Sequence, residues 1–200
     1  MKISEIQWME IIKKWGISIV LFPFLLLYTI HFYRSLTVNI FISVHSNFPF
    51  PAGFVYIVID SISLIIHEAG HSIFGIFGIR FLTILGGTLM QLLISGLLLF
   101  YAWIRRHKPG LQLSLAFLGY NLMDISVYAA DASARQLPLI GNLPKTAHDW
   151  FNMLWQMGLL NYDHVIGMVF FFFGVGVFLL ALGIPILIKN YEVINLELNV

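Results

Sequence analysis

Five long apolar stretches, separated by short breaks rich in polar residues, proline and glycine, organise this chain. A helix needs about 20 apolar residues to cross the hydrocarbon core of a bilayer. On that ruler residues 16–33, 54–78, 82–104, 111–130 and 165–188 are five spans. A sixth apolar segment, 150–160, is too short to cross and reads as an interfacial or re-entrant helix. Pro49, Pro51 and Gly53 break the chain before the second span. Pro109 and Gly110 mark the turn between the third and fourth, and Pro138, Gly141 and Pro144 punctuate the one long polar connection. Trp8, Trp15, Lys13 and Lys14 flank the first stretch as interface anchors do. That stretch is too long for the core of a signal peptide and no small-x-small cleavage site follows it, so a retained span is expected. The expected fold is all-α, a single polytopic membrane helix bundle over residues 1–200.

Composition agrees with lipid rather than water as the solvent. Of 200 residues, 59% are hydrophobic and only 10% charged, against about 25% charged in a soluble domain. The lipid bilayer is therefore the first expected partner. A net charge of +1, with no basic run beyond Arg105-Arg106-His107-Lys108, argues against nucleic acid. The chain has no cysteine, which excludes thiolate metal sites, disulfides and thiol catalysis. Lysines and arginines fall almost evenly on the two sides of the expected spans, so they assign no orientation.

Against this apolar background, polar residues at helical spacing carry information. A charged side chain at the centre of a membrane costs on the order of 2.5–3.5 kcal/mol on insertion scales, so it needs a partner or a purpose. In the second span Asp60, Ser63, His67 and His71 fall within about an 80° arc at 100° per residue, with Gly78 in the same arc. Asp60 is a candidate to accept a hydrogen bond from a ligand histidine. In the fourth span Asn121, Asp124, Tyr128 and Asp131 occupy a similar arc. In the third, Gly86 and Gly87 permit close helix packing, and Gln91 lies one turn beyond them. His31, His45, His107 and His164 stand at span ends or in loops and read as solvated interface residues.

The sharpest signal is His67-Glu68-Ala69-Gly70-His71, an H-E-x-x-H motif inside the second span. Two histidines four residues apart share one helix face, so both imidazoles can converge on one zinc ion. Glu68 then projects beside them as the general base. A catalytic zinc takes three protein ligands and keeps one position for water, so a further ligand must come from elsewhere. The segment 142–150 supplies two candidates, Asp149 and His148, and the fourth span a third, Asp124.

These residues give the chain a resemblance to the site-2 protease family of intramembrane zinc metalloproteases. That family follows its H-E-x-x-H helix with an N-x-x-P-x-x-x-x-D-G motif whose aspartate is the third ligand. Here Pro144 and Asp149 keep the proline-to-aspartate spacing. Asn142 stands two residues before the proline rather than three, Gly141 takes the place of the family's asparagine, and Trp150 replaces its final glycine. The resemblance implies zinc on His67, His71 and Asp149 and cleavage of a membrane-embedded protein substrate. By ligand chemistry alone His148 and Asp124 stay open. Asn121, Gln91 and Asp124 are expected behind the ligands or as donors to the oxyanion. Two other functions fit the same residues: a zinc hydrolase of a lipid or another amide, and a non-enzymatic metal-binding or transport protein. Glu68 separates the last from the others, since a carrier needs no general base beside its ligands.

Overall fold

Turn chemistry fixes where the apolar runs begin and end. The computed structural model describes residues 3–44 and 47–188, and among them every regular element is helical. The long helices are α1 (Ile3–Thr37), α2 (Ala52–Gly75), α3 (Arg80–Ile104), α4 (Lys108–Ala130) and α6 (Asp163–Leu187), with the short α5 (Asp149–Gln156) before the last. All five long helices are long and apolar enough to cross a membrane. The fold is an all-helical bundle, as the pattern of apolar runs predicts.

Four boundaries depart from expectation. The first helix starts at Ile3, well ahead of its apolar run, because residues with adequate helix propensity extend it. The second stops at Gly75, since Gly78 adopts a left-handed φ of +67 and turns the chain into α3. Pro109 and Gly110 are not the turn between α3 and α4 but the first turn of α4 itself. Proline is favoured there, where its missing N–H costs nothing, and the His107 ring caps the same end by accepting from the Gly110 N–H at 3.2 Å. The short segment begins at Asp149 and ends at Gln156, sooner than its apolar run suggests.

Helix α4 is the buried axis of the bundle. It packs on α6, α3 and α1, and Tyr120, Met123, Ile125, Val127 and Ala129 along it are almost wholly enclosed. The outward faces of the other long helices are apolar, with Ile65, Leu97, Phe173 and Leu179 each about two-thirds exposed. Helix α2 lies chiefly against α3. Gly70 and Gly86 face each other across that contact so closely that a Cβ on either would strike the other's backbone oxygen. The α2 motif is thereby drawn against α3. Trp150, Met153 and Leu154 bury α5 against Ile125, Ala129 and Ala132, which brings the start of α5 beneath α2.

One buried polar contact repairs the frame. Pro185 lies inside α6 and has no N–H for the carbonyl of Ala181, four residues earlier. The Gln112 side chain of α4 donates to that carbonyl at 3.0 Å and to Ser18 Oγ of α1 at 2.7 Å, and Ser18 donates on to Leu182 O at 3.0 Å. Three helices are tied at one point, and the orphaned carbonyl is satisfied.

Candidate metal centre

The i, i+4 spacing does in the structure what it promises in sequence: the His67 and His71 rings stand 4.7 Å apart between centroids. The third group to reach them is Asp149, the first residue of α5. Its Oδ2 lies 3.2 Å from His67 Nε2 and 3.2 Å from His71 Nε2, and the three donor atoms all fall within 4.8 Å of one another. Ligand atoms of a tetrahedral zinc with bonds of about 2.0–2.1 Å lie roughly 3.3 Å apart, so the two separations from Asp149 match edges of such a site.

What stands behind each ring strengthens the fit. His67 Nδ1 is 2.9 Å from Gln91 Oε1, and His71 Nδ1 is 2.8 Å from the Thr83 carbonyl. Both partners are acceptors, so both Nδ1 atoms carry the proton and both Nε2 atoms turn a lone pair toward the Asp149 carboxylate. Two lone pairs and a carboxylate repel one another unless a cation joins them. Protonating both rings would instead set two imidazolium ions side by side. One metal ion satisfies all three groups at once, which is the arrangement of metal-ligating histidines with their outer nitrogens bound.

Asp149 is held independently. Tyr128 donates its hydroxyl to Asp149 Oδ2 at 3.2 Å and accepts from the Asp149 backbone N–H at 3.1 Å.

The other candidates for third ligand lie elsewhere. His148 is fully buried and faces away: its Nδ1 accepts from the Phe151 N–H at 3.2 Å to cap α5, and its Nε2 approaches Asp131 at 3.4 Å. Asp131, expected on the same face as Asn121, is the C-cap of α4, and its two oxygens are taken by the N–H groups of Gln136 and Leu137 in the connection that follows. Asp124 lines the cavity but accepts from Gln91 Nε2 at 3.0 Å instead of joining the triad. Asp60 takes the Tyr120 hydroxyl at 3.1 Å, whereas the Nδ1 atoms of His67 and His71 are served by Gln91 and Thr83. His31 is not solvated: it packs among Phe32, Phe48 and Tyr56. His45 lies outside the described residues.

Gln91 and Asn121 stand behind the ligands and have no proton to offer an oxyanion. Gln91 Nε2 donates to Asn121 Oδ1 and Asp124 Oδ2, and Asn121 Nδ2 to Ser95 Oγ and the Phe117 carbonyl. Three contributions were not assigned from sequence. The Thr83 carbonyl is backbone and leaves no residue signature. The Tyr128 hydroxyl was visible as a member of the α4 polar face, without its partner. Gly87 was read as a packing glycine, yet a Cβ there would collide with the His67 ring.

The triad opens on a cavity of about 490 Å³ between α2, α4 and the segment 137–147. Glu68, Asp60 and Asp124 line it together with Leu64, Ile125 and Leu139, and no lysine or arginine among the described residues does so. A scan against family models, a search of curated proteins and a search of solved structures each found no match to this chain. The geometry is that of a helical bundle with a His-His-Asp group that could hold one metal ion and with Glu68 on the same cavity wall.

Proposed function

We propose that this protein is an intramembrane zinc metalloprotease that hydrolyses a peptide bond of a membrane-embedded protein substrate. The observation that carries the reading is the convergence of His67, His71 and Asp149 with Glu68 on one cavity wall. The lipid-facing character of the helix exteriors supports a multi-pass membrane location. The resemblance to the site-2 proteases in two motifs supports the choice of peptide over other amides.

His67, His71 and Asp149 are the groups that would hold the ion. Zinc in such a site supplies Lewis acidity, polarising a carbonyl and acidifying water. Glu68 takes the proton from the attacking water and delivers it to the departing amine, so the nitrogen leaves neutral. Tyr128 keeps the Asp149 oxygen aimed between the imidazoles while this happens. The apolar wall of Leu64, Ile125 and Leu139 keeps bulk water from the reacting bond. A helix hides its carbonyls in internal hydrogen bonds, so the substrate stretch that enters the cavity is unwound there.

Metal analysis of detergent-purified protein, combined with Glu68→Gln, tests the proposal. The expected result is one zinc per chain in both parent and variant, with cleavage of a membrane-embedded substrate slowed by about 10² or more in the variant, as for loss of a general base. Parental cleavage by Glu68→Gln would remove the glutamate from the mechanism. Zinc uptake without hydrolysis of any peptide, lipid or other amide substrate would favour the metal carrier, to which Asp60 and Asp124 on the same wall would then belong.

A further inference from the structure

Behind His67 runs a chain of buried hydrogen bonds whose direction is forced at every step. It begins at a backbone oxygen. The Phe117 carbonyl can only accept, so the atom of Asn121 facing it at 3.0 Å is Nδ2. The same Nδ2 donates to Ser95 Oγ at 3.1 Å, whose own proton is committed to the Gln91 carbonyl at 2.7 Å. Asn121 therefore turns Oδ1 toward Gln91. Asp124 turns a carboxylate oxygen toward the same amide. Two acceptors on one side of Gln91 leave a single orientation: Nε2 toward Asn121 and Asp124, Oε1 toward His67. Asn121 and Ser95 are fully enclosed and Gln91 nearly so, and buried polar groups of this kind need their partners within the protein.

We infer that Gln91 is a positioning residue for the metal centre, locked by Asn121 and Asp124 so that His67 must carry its proton on Nδ1 and present its Nε2 lone pair to the ion. The inference rests on the metal reading above. An amide is the right group for the task because it can be a donor on one side and an acceptor on the other. Asp124 acts at one remove. As a carboxylate it accepts from Gln91 Nε2 and so disfavours the flipped amide, which would point N–H at His67 and drive the ring toward the wrong tautomer. His71 has no such device, since a backbone carbonyl serves it directly.

Zinc affinity measured by chelator competition in detergent, alongside thermal stability of the metal-free protein, tests the assignment. Gln91→Met fills the space but cannot accept from His67, and should weaken zinc by about 10–100-fold, the range for an outer partner of a ligand. Gln91→Glu keeps an acceptor for His67 while setting a carboxylate against Asn121 Oδ1 and Asp124. It should be less stable than Gln91→Met yet bind zinc more tightly. That inversion is the signature of positioning, because a merely structural residue would make affinity follow stability. If Gln91→Glu does not fold, Asp124→Asn serves instead: it preserves shape and removes the negative charge but leaves Asn121 Oδ1 holding Gln91 Nε2, so it should weaken zinc by less than Gln91→Met does. Cobalt substitution adds a second readout, since a displaced His67 would alter the visible absorption of the bound ion. Parental zinc affinity in folded Gln91→Met, a loss in Asp124→Asn as large as in Gln91→Met, or affinity tracking stability across the series overturns the inference while leaving the metal site intact. A parent chain that takes up no zinc overturns the metal reading itself.

Discussion

Two buried glutamines divide the interior of this bundle between them. Gln112 and Gln91 are equally enclosed, each joins helices, and each donates through both amide protons. They differ in where their networks end. The Gln112 network ends on the Ala181 and Leu182 carbonyls, where Pro185 has disturbed the α6 ladder, so its product is a mended helix. The Gln91 network ends on an imidazole nitrogen and on a carboxylate that both border the cavity. A buried polar group in an apolar bundle is thus not evidence of function until its partners are followed to their last member. In one region every end is backbone; in the other some ends face open space.

The strongest way to separate the two regions is to remove a ligand. His67→Ala and His71→Ala should each weaken zinc by far more than the 10–100-fold of an outer-partner change, whereas Gln112→Leu should leave zinc affinity at the parental value. Zinc content after gel filtration in detergent checks both. The two histidine variants should also differ from each other in the metal-free state. His67→Ala strands the buried Gln91 Oε1, costing about 1–3 kcal/mol, while His71→Ala exposes a carbonyl at a half-open position. Stoichiometric zinc in either histidine variant would break the site assignment.

A smaller effect sharpens the account of the other region. Gln112→Leu should lower stability by about 1–2 kcal/mol, the upper part of the range for interhelical hydrogen bonds in membrane bundles, because the Ala181 carbonyl loses its substitute donor. Pro185→Ala restores an N–H to that carbonyl. The two changes should therefore be non-additive in a double-mutant cycle, with the Gln112→Leu penalty reduced on the Pro185→Ala background. Additive behaviour would mean that Gln112 acts through Ser18 alone.

The bundle itself and the three central residues of the site were legible in the chain. Long apolar runs leave few alternatives to helices, and i, i+4 histidines have one geometric consequence. The proline-to-aspartate spacing pointed to Asp149, but it could not show that His148, one residue earlier, turns the other way to cap α5. Adjacent residues at a helix start diverge sharply in direction, and only the packing of Trp150, Met153 and Leu154 fixes which one faces α2. Helical periodicity grouped Asp131 with Asn121 and Asp124, yet its carboxylate is taken by the N–H groups of the connection after α4. Gln112 carries a sequence signal of a different kind. A proline inside an expected span orphans the carbonyl four residues before it, and a lone amide in a neighbouring span is the natural donor.

The smallest expected effect tests the one ligand partner that has no side-chain identity. His71 is held by the Thr83 carbonyl, and the Thr83 hydroxyl is engaged elsewhere, on Ile79 O at 3.2 Å within its own helix. Thr83→Val replaces that hydroxyl by a methyl of similar shape and keeps the γ-methyl that a side chain at Gly75 would meet. The carbonyl does not move, because α3 is fixed from both sides by Gly70 against Gly86 and by the buried Gln91 cluster. The expected change in stability is within about 0.5 kcal/mol, as for a surface substitution, and zinc affinity should match the parent. Set beside Gln91→Met, the pair contrasts a ligand whose partner mutation can reach with one whose partner it cannot. A marked loss of zinc in Thr83→Val would show that the threonine side chain, rather than the backbone it carries, holds His71 in place.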